Sequence, residues 1–233
     1  MTAGLSLVTG GSIRAGAERA EPKGLDGPSR LPAPATATLS ELFAASPRDA
    51  GATGFLLAQV ARGKPMLWVQ ERMAMLEAGR IYPPGLGIAE LIHVDARDAR
   101  TTLWAMEEGL RCAALGAVIG EVWGDPKALD FTATRRLAVA AERHGVAAFL
   151  IRLCGHANLS GARMRWRVAS APSAPHPLDP KAPGAAAWEA ELFRARGFAP
   201  GRWIAHDEGS ADRLAVVAAT GDRTLAQGER RVG

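Results

Sequence analysis

Short runs of residues that are apolar on both faces of a would-be strand constrain the fold of this chain more than any other feature. Residues 117–123 and 146–151 are almost entirely apolar, and amphipathic stretches separate runs of this kind along the chain. A strand that is apolar on both faces must be covered on both faces, as happens in parallel sheets whose crossover helices pack on both sides. The pattern therefore predicts an α/β protein with a mostly parallel sheet flanked by helices.

The periodicity predicts five strands of this sheet and the helices that connect them. The strands are expected at 39–43, 65–70, 90–94, 117–123 and 146–151, and the helices at 53–61, 71–78, 98–114 and 129–144. Asp98 is a typical N-terminal cap for the third helix, and Gly145 is expected to end the fourth.

The pattern changes in the C-terminal third of the chain. Residues 163–168 alternate polar and apolar side chains, as a strand does when only one of its faces is covered. The segments 187–195 and 202–206 flank a turn at 197–201 and predict an antiparallel hairpin. A C-terminal antiparallel extension of the parallel sheet is therefore expected.

Composition divides the chain into one domain and two tails. Residues 1–37 are rich in Gly, Ala, Pro and Ser and are expected to be a flexible tail, 38–208 to form the domain, and 209–233 to be a mobile C-terminal tail. The sequence contains neither an apolar run long enough to span a membrane nor a signal-peptide pattern, so a cytoplasmic protein without membrane contact is expected.

The ionisable and sulfur-containing residues do not form a recognisable catalytic or metal-binding pattern. The two cysteines and five histidines of the 233 residues are scattered, so we expect no metal, no cofactor and no nucleophilic triad. The net charge of +4 permits weak contact with nucleic acid or with an acidic partner without requiring either.

The turn after the first strand is close to a phosphate-binding loop. That loop follows the pattern G-x-x-x-x-G-K-[ST], in which backbone N–H groups and the lysine hold phosphates and the hydroxyl holds Mg²⁺. The window here reads SPRDAGAT, so that Ser46 replaces the first glycine and Ala52 replaces the lysine. Pro47, Gly51 and Thr53 complete what we interpret as a vestigial P-loop.

These replacements predict that the loop does not support ATP hydrolysis. Ala52 removes the fixed positive charge, and Asp49 adds a negative charge beside the expected phosphate position. The chain is therefore expected not to be an enzyme. A weak RecA-type module that binds ATP or DNA is kept as an alternative.

The order of elements and several short motifs resemble the RecA core. The SPRDAGAT window aligns with the Walker A loop, and Glu121 in the motif VIGE stands where the Walker B strand ends in an acid. The catalytic glutamate of RecA falls at about Arg100 here. The resemblance implies a RecA-like three-layer fold with a degenerate P-loop.

A narrower resemblance covers most of the chain from Leu39 onward. The motifs LSELF at 39–43 and GATGF at 51–55, together with a Trp- and Arg-rich stretch at 188–203, resemble the ImuA family. Members of that family act with ImuB and a second DnaE-type polymerase in damage-induced translesion synthesis. The resemblance implies a non-catalytic accessory protein of SOS mutagenesis, cytoplasmic and nucleoid-associated when bound to the mutasome.

This resemblance makes partner binding the expected activity. The partners it implies are an ImuB-type Y-family protein and, further, RecA and the second DnaE-type polymerase. The candidate partner-binding residues lie in the hairpin and the C-terminal tail: Trp188, Arg194, Arg196, Trp203 and Arg213. The alternative is that the hairpin only covers the edge of the sheet. A SulA-like cell division inhibitor remains a second alternative for the function.

Three alternating arginines are the candidate DNA-binding residues. Arg163, Arg165 and Arg167 are expected to project from one face of one strand, just after a loop that corresponds to a DNA-contacting loop in RecA. The alternative is an ordinary solvent-exposed strand face. Because the loop is short and lacks an aromatic residue for base stacking, DNA contact is expected to be weak or indirect.

Overall fold

The structure is a computed structural model that describes residues 31–60, 63–86, 88, 90–173, 175–176, 178–179 and 181–207, and the backbone of 214–217. Within these residues the chain forms nine strands, four α-helices and one short 3-10 helix. The strands are β1 (Leu39–Ala44), β2 (Met66–Glu71), β3 (Leu91–Ala96), β4 (Ala117–Trp123), β5 (Ala147–Leu153), β6 (Met164–Ala171), β7 (Ala187–Ala195), β8 (Gly201–Asp207) and β9 (Leu214–Val217).

The helices alternate with the first five strands. They are α1 (Gly51–Leu57), α2 (Arg72–Ala78), α3 (Ala99–Gly109) and α4 (Phe131–His144), and the 3-10 helix is Pro83–Leu86. None of the helices in the described part of the chain is both long enough and apolar enough to cross a bilayer.

All nine strands belong to one sheet, in the order β3-β2-β4-β5-β1-β6-β7-β8-β9. The pairs from β3 to β6 are parallel. The pairs from β6 to β9 are antiparallel. The predicted α/β class, the mostly parallel sheet and the C-terminal antiparallel extension are therefore confirmed.

Helices pack on both faces of the sheet because the central strands are apolar on both faces. β2, β4 and β5 are buried along nearly their whole length. One core cluster joins α1 and α2 to one face, around Phe55, Trp68 and Trp166. A second cluster joins α3 and α4 to the opposite face, around Met106 and Leu137.

The ends of the two longer helices are set by local capping. Asp98 accepts a hydrogen bond from the backbone N–H of Thr101 at 2.8 Å, and Gly145 follows α4 in the left-handed conformation at φ 70°. Both predicted caps are confirmed. The start of α4 differs from the prediction, because Asp130 caps the helix and so makes Phe131 its first residue.

β9 extends the sheet beyond the two antiparallel strands that the sequence predicts. Its four residues pair with β8 in the register Ile204 with Val217 through Asp207 with Leu214. This strand lies within the segment 209–233, whose other residues are outside the described part of the chain.

Candidate functional site

The turn between β1 and α1 is held to the rest of the sheet by Asp49. Its carboxylate accepts hydrogen bonds from the backbone N–H of Gly51 at 2.8 Å, from the backbone N–H of Ser170 at 3.0 Å and from the Ser170 hydroxyl. Partial burial raises the pKa of Asp49, but these hydrogen bonds outweigh it, and the net pKa lies below the ordinary value. A charged carboxylate therefore accepts the hydrogen bond of the backbone N–H that begins α1.

This contact accounts for two features of the turn. α1 begins at Gly51, two residues before the predicted start, and Asp49 satisfies the N–H of that first residue. A phosphate-binding loop offers such N–H groups to its ligand. At this position the group is already bonded to an anion of the chain itself.

Close packing explains Gly51, the one glycine that remains in the window, and Gly54, which directly follows the window. A Cβ on Gly51 would lie 2.6 Å from the backbone nitrogen of Ser170, and a Cβ on Gly54 would lie 2.8 Å from Nε1 of Trp188. Both glycines therefore let α1 approach β6 and β7, and neither requires a phosphate to explain its presence.

We expect Gly51→Ala to lower the free energy of unfolding by about 1–3 kcal/mol or more, because the added methyl group meets rigid backbone of β6. Urea unfolding of the purified variant measures this loss. Thr53→Ala in the same helix is the matched control and is expected to change stability by no more than about 0.5 kcal/mol, since Thr53 is partly exposed. Equal stability of both variants would contradict the packing explanation.

Glu121 lies in a buried hydrogen-bonded cluster at the end of β4. Its two carboxyl oxygens accept hydrogen bonds from Nε1 of Trp68 at 3.0 Å and Nε2 of Gln70 at 2.6 Å. Burial raises the pKa of Glu121, although these hydrogen bonds partly offset the rise. The acid is thus satisfied by the protein itself.

Gln70 uses its remaining hydrogen-bonding capacity on the segment that follows α2. Its amide donates to the carbonyl of Gly79 at 3.2 Å, and its oxygen accepts from the N–H of Ile81 at 2.9 Å. His93 also contacts this oxygen at 2.9 Å. The segment 79–81 is therefore bonded at the carboxyl end of β2.

A cavity of about 270 Å³ lies where these elements meet. The carboxyl end of a parallel sheet is the usual ligand position in such folds. The cavity brings together four residues that the sequence predicted as parts of one vestigial site, namely Pro47, Ala52, Thr53 and Glu121. Ser46 and Gly51 do not line it. No group of three or more potential metal-ligating residues is present in the part of the chain that the structure describes.

The structure separates the three candidate DNA-binding arginines. Arg163 precedes β6 and pairs with Glu142 at 2.6 Å, and Arg167 is exposed and pairs with Glu191 at 3.1 Å. Arg165 is 2% exposed and pairs with Glu41 at 2.7 Å. The expectation that Arg165 faces solvent for phosphate contact is therefore wrong, because alternation identified its face but not what covers that face. DNA contact by Arg163 and Arg167 stays a prediction.

Arg165 belongs to a buried ionic network that sequence reasoning missed. Glu41 is fully buried and contacts Arg165, Ser160 at 3.0 Å and Arg152 at 3.8 Å. Arg152 also pairs with Asp125 at 2.5 Å. Part of the signal was available, because Glu41 is a charged residue inside the predicted strand 39–43 and Arg152 directly follows the apolar run 146–151.

The hairpin of β7 and β8 places its tryptophans and its arginines in different environments. Trp188 and Trp203 are 6% and 3% exposed and pack into the cluster that includes α1, with the Trp203 ring 5.8 Å from that of Trp166. Burial argues against the predicted partner-binding role of these two tryptophans, because they form the core between the hairpin and α1. Arg194 and Arg196 are exposed and remain candidates. Arg213 lies outside the described residues.

Comparison with known proteins supplies the family. No protein-family profile matches the chain. The chain is similar to Protein ImuA from two strains of Caulobacter vibrioides, with 33% identity over 189 residues in each case. The similarity covers 74% of this chain and 74% of each relative. This protein therefore belongs to the ImuA family.

Proposed function

We propose that this protein is a non-catalytic accessory protein in SOS-induced DNA damage tolerance that assists error-prone translesion synthesis. Its partners in this role are an ImuB-type Y-family protein and a second DnaE-type polymerase, with RecA as a further candidate. In this proposal the protein is cytoplasmic and associates with the nucleoid when it is bound to the mutasome. The observation that carries the proposal is the family membership, at 33% identity over 74% of the chain.

We further infer that the body is RecA-like, with a degenerate P-loop and no ATPase activity. The mostly parallel sheet with helices on both faces is compatible with that fold. Asp49 supports the loss of phosphate binding, because its carboxylate takes the Gly51 N–H while Ala52 stands in the place of the lysine. The sheet and its two helical layers then serve as a rigid scaffold for partner surfaces.

Deletion of the gene tests the cellular role. Damage-induced mutation frequency is expected to fall to the uninduced level and to return when the wild-type gene is supplied. Unchanged induced mutagenesis, together with cell filamentation on overexpression, would contradict the proposal and favour a division inhibitor.

Affinity capture with purified proteins tests the partner assignment. The immobilised protein is expected to retain the ImuB-type protein. Arg194→Glu combined with Arg196→Glu is expected to lower the amount of ImuB-type protein retained if the hairpin is the contact surface. Glu189→Lys, on the same strand but not among the candidate residues, is the matched control. Failure of the wild-type protein to retain either the ImuB-type protein or RecA would contradict the adaptor role.

A further inference from the structure

The cavity at the carboxyl ends of β1, β2, β4 and β5 has both apolar and polar walls, and its apolar part comes from several strands and the segment after α2. Ala44, Ala52, Ile81, Ile151 and Leu153 line it. Its volume of about 270 Å³ is below the roughly 300–1,000 Å³ that is usual for small-molecule and cofactor sites. It exceeds the roughly 150 Å³ of an apolar protein cavity known to hold benzene. The space therefore suits one large apolar side chain better than a nucleotide.

The two acids that line the cavity are already bonded to the protein. The Asp49 carboxylate accepts three hydrogen bonds from Gly51 and Ser170, and the Glu121 carboxyl is bonded to Trp68 and Gln70. Neither acid needs a ligand to satisfy its oxygens. The apolar lining, including Ile151 and Leu153, therefore remains available for contact with a ligand.

The rim of the cavity carries two arginines with free charge. Arg48 and Arg80 both line it and are both exposed. No carboxylate of the described residues forms an ion pair with either guanidinium, and the Arg80 guanidinium lies 3.5 Å from Nδ1 of His93. Guanidinium groups at a cavity mouth are well suited to carboxylates of a bound segment.

Large apolar side chains continue outward from the same rim. Tyr82 lines the cavity and is 71% exposed. Leu76 and Met73 are 72% and 44% exposed on α2, whose last residue, Ala78, also lines the cavity. Exposed apolar surface of this kind beside a pocket is typical of protein–protein contact.

We propose that this cavity is the docking socket for a short acidic segment of a partner protein. A large apolar side chain of the segment enters the cavity, and flanking Asp or Glu carboxylates pair with Arg48 and Arg80. The inference rests on the proposed accessory function, because an adaptor is the kind of protein that needs such a socket. In this proposal an acidic peptide segment binds where a working P-loop would bind phosphate.

Fluorescence anisotropy with short labelled peptides tests the socket directly on the full-length protein. The probe peptide has a Leu-Phe pair flanked by Asp and Glu, and two control peptides carry Lys flanks or an Ala-Ala centre. The probe is expected to bind, and both controls to bind at least about tenfold more weakly. Absence of binding, or equal binding of the Lys-flanked peptide, would overturn the proposal.

Variants then locate the binding. Arg48→Glu combined with Arg80→Glu is expected to lower the affinity for the probe peptide by about tenfold or more. Thr53→Tyr is expected to block binding of the peptide by filling the cavity. Arg143→Glu, an exposed arginine in the last turn of α4, is the matched control and is expected to leave affinity unchanged. Unaltered binding by the double variant would overturn the proposal. Competition by Mg-ATP or inorganic phosphate would also overturn the proposal, because it would assign the cavity to a nucleotide. Self-association that the double variant abolishes would overturn it as well, because it would assign the cavity to a second copy of the chain.

Induced mutagenesis separates failure of the socket from failure of the proposed function. The double variant is expected to lose complementation of the deletion strain, whereas Arg143→Glu keeps it. If the double variant complements fully, the socket is wrong while the accessory role stands. If the wild-type gene has no effect on mutagenesis, the accessory role fails, and the peptide experiment alone decides whether the cavity binds acidic segments.

Discussion

Glu41→Ala is expected to lower the free energy of unfolding by about 3–5 kcal/mol, because it removes one partner of a buried ion pair. Glu41 is fully buried, and its carboxylate is the acid beside the nearly buried guanidinium groups of Arg165 and Arg152. Without it, Arg165 has no carboxylate partner among the described residues. Chemical denaturation with fluorescence detection measures the loss, which the six tryptophans of the chain make accessible.

A matched substitution in an exposed pair is the control for this effect. Glu191 pairs with Arg167 and Arg202, whose side chains are 53% and 55% exposed. Glu191→Ala is expected to cost no more than about 1 kcal/mol, since solvent screens such pairs. Glu41→Leu combined with Arg165→Met is expected to lose less stability than Glu41→Ala alone. A loss for Glu41→Ala as small as that for Glu191→Ala would contradict the buried network.

Trp188→Ala is expected to lower the free energy of unfolding by about 3–5 kcal/mol, as truncation of a core tryptophan does. The ring is 6% exposed, lies 6.5 Å from the Phe55 ring, and packs where Gly54 leaves room for it. Trp188→Phe is expected to lose less, because it keeps an aromatic ring against α1. Thermal unfolding of the two variants gives the comparison.

The same substitution distinguishes a core residue from a partner-binding residue. Arg194→Ala, in the same strand and exposed, is expected to change stability by no more than about 0.5 kcal/mol. A Trp188→Ala protein that keeps wild-type stability yet no longer binds its partner would show that the indole serves the partner and not the core.

The sheet could be predicted from the sequence because its strongest signals are local. Runs such as 117–123 are apolar on both faces, and this alone requires cover on both sides. Asp98 and Gly145 act within one turn of the helices that they bound. The alternation around Trp166 correctly indicated a strand, although both faces of that strand are buried at Arg165 and Trp166.

The contacts that define the site depend on distant parts of the chain. Arg165 pairs with Glu41, which lies 124 positions away, and Asp49 bonds to Ser170, which lies 121 positions away. A sequence pattern gives the face on which a side chain lies, but the neighbouring strand determines its partner. For this reason Arg165 was expected in solvent, and Asp49 was treated only as a repelling charge. Pro47, Ala52 and Thr53 do line one cavity with Glu121, whereas the interpretation of the window as a vestigial P-loop stays a prediction.

Calorimetric titration of the purified protein with Mg-ATP tests the proposal that a RecA-like body without a working phosphate site serves as a scaffold. We expect no saturable binding and no turnover above buffer, with identical traces for wild type, Thr53→Ala and Glu121→Gln. Saturable, magnesium-dependent ATP binding that Thr53→Ala abolishes would contradict it, because that hydroxyl would then be holding the metal beside a bound triphosphate.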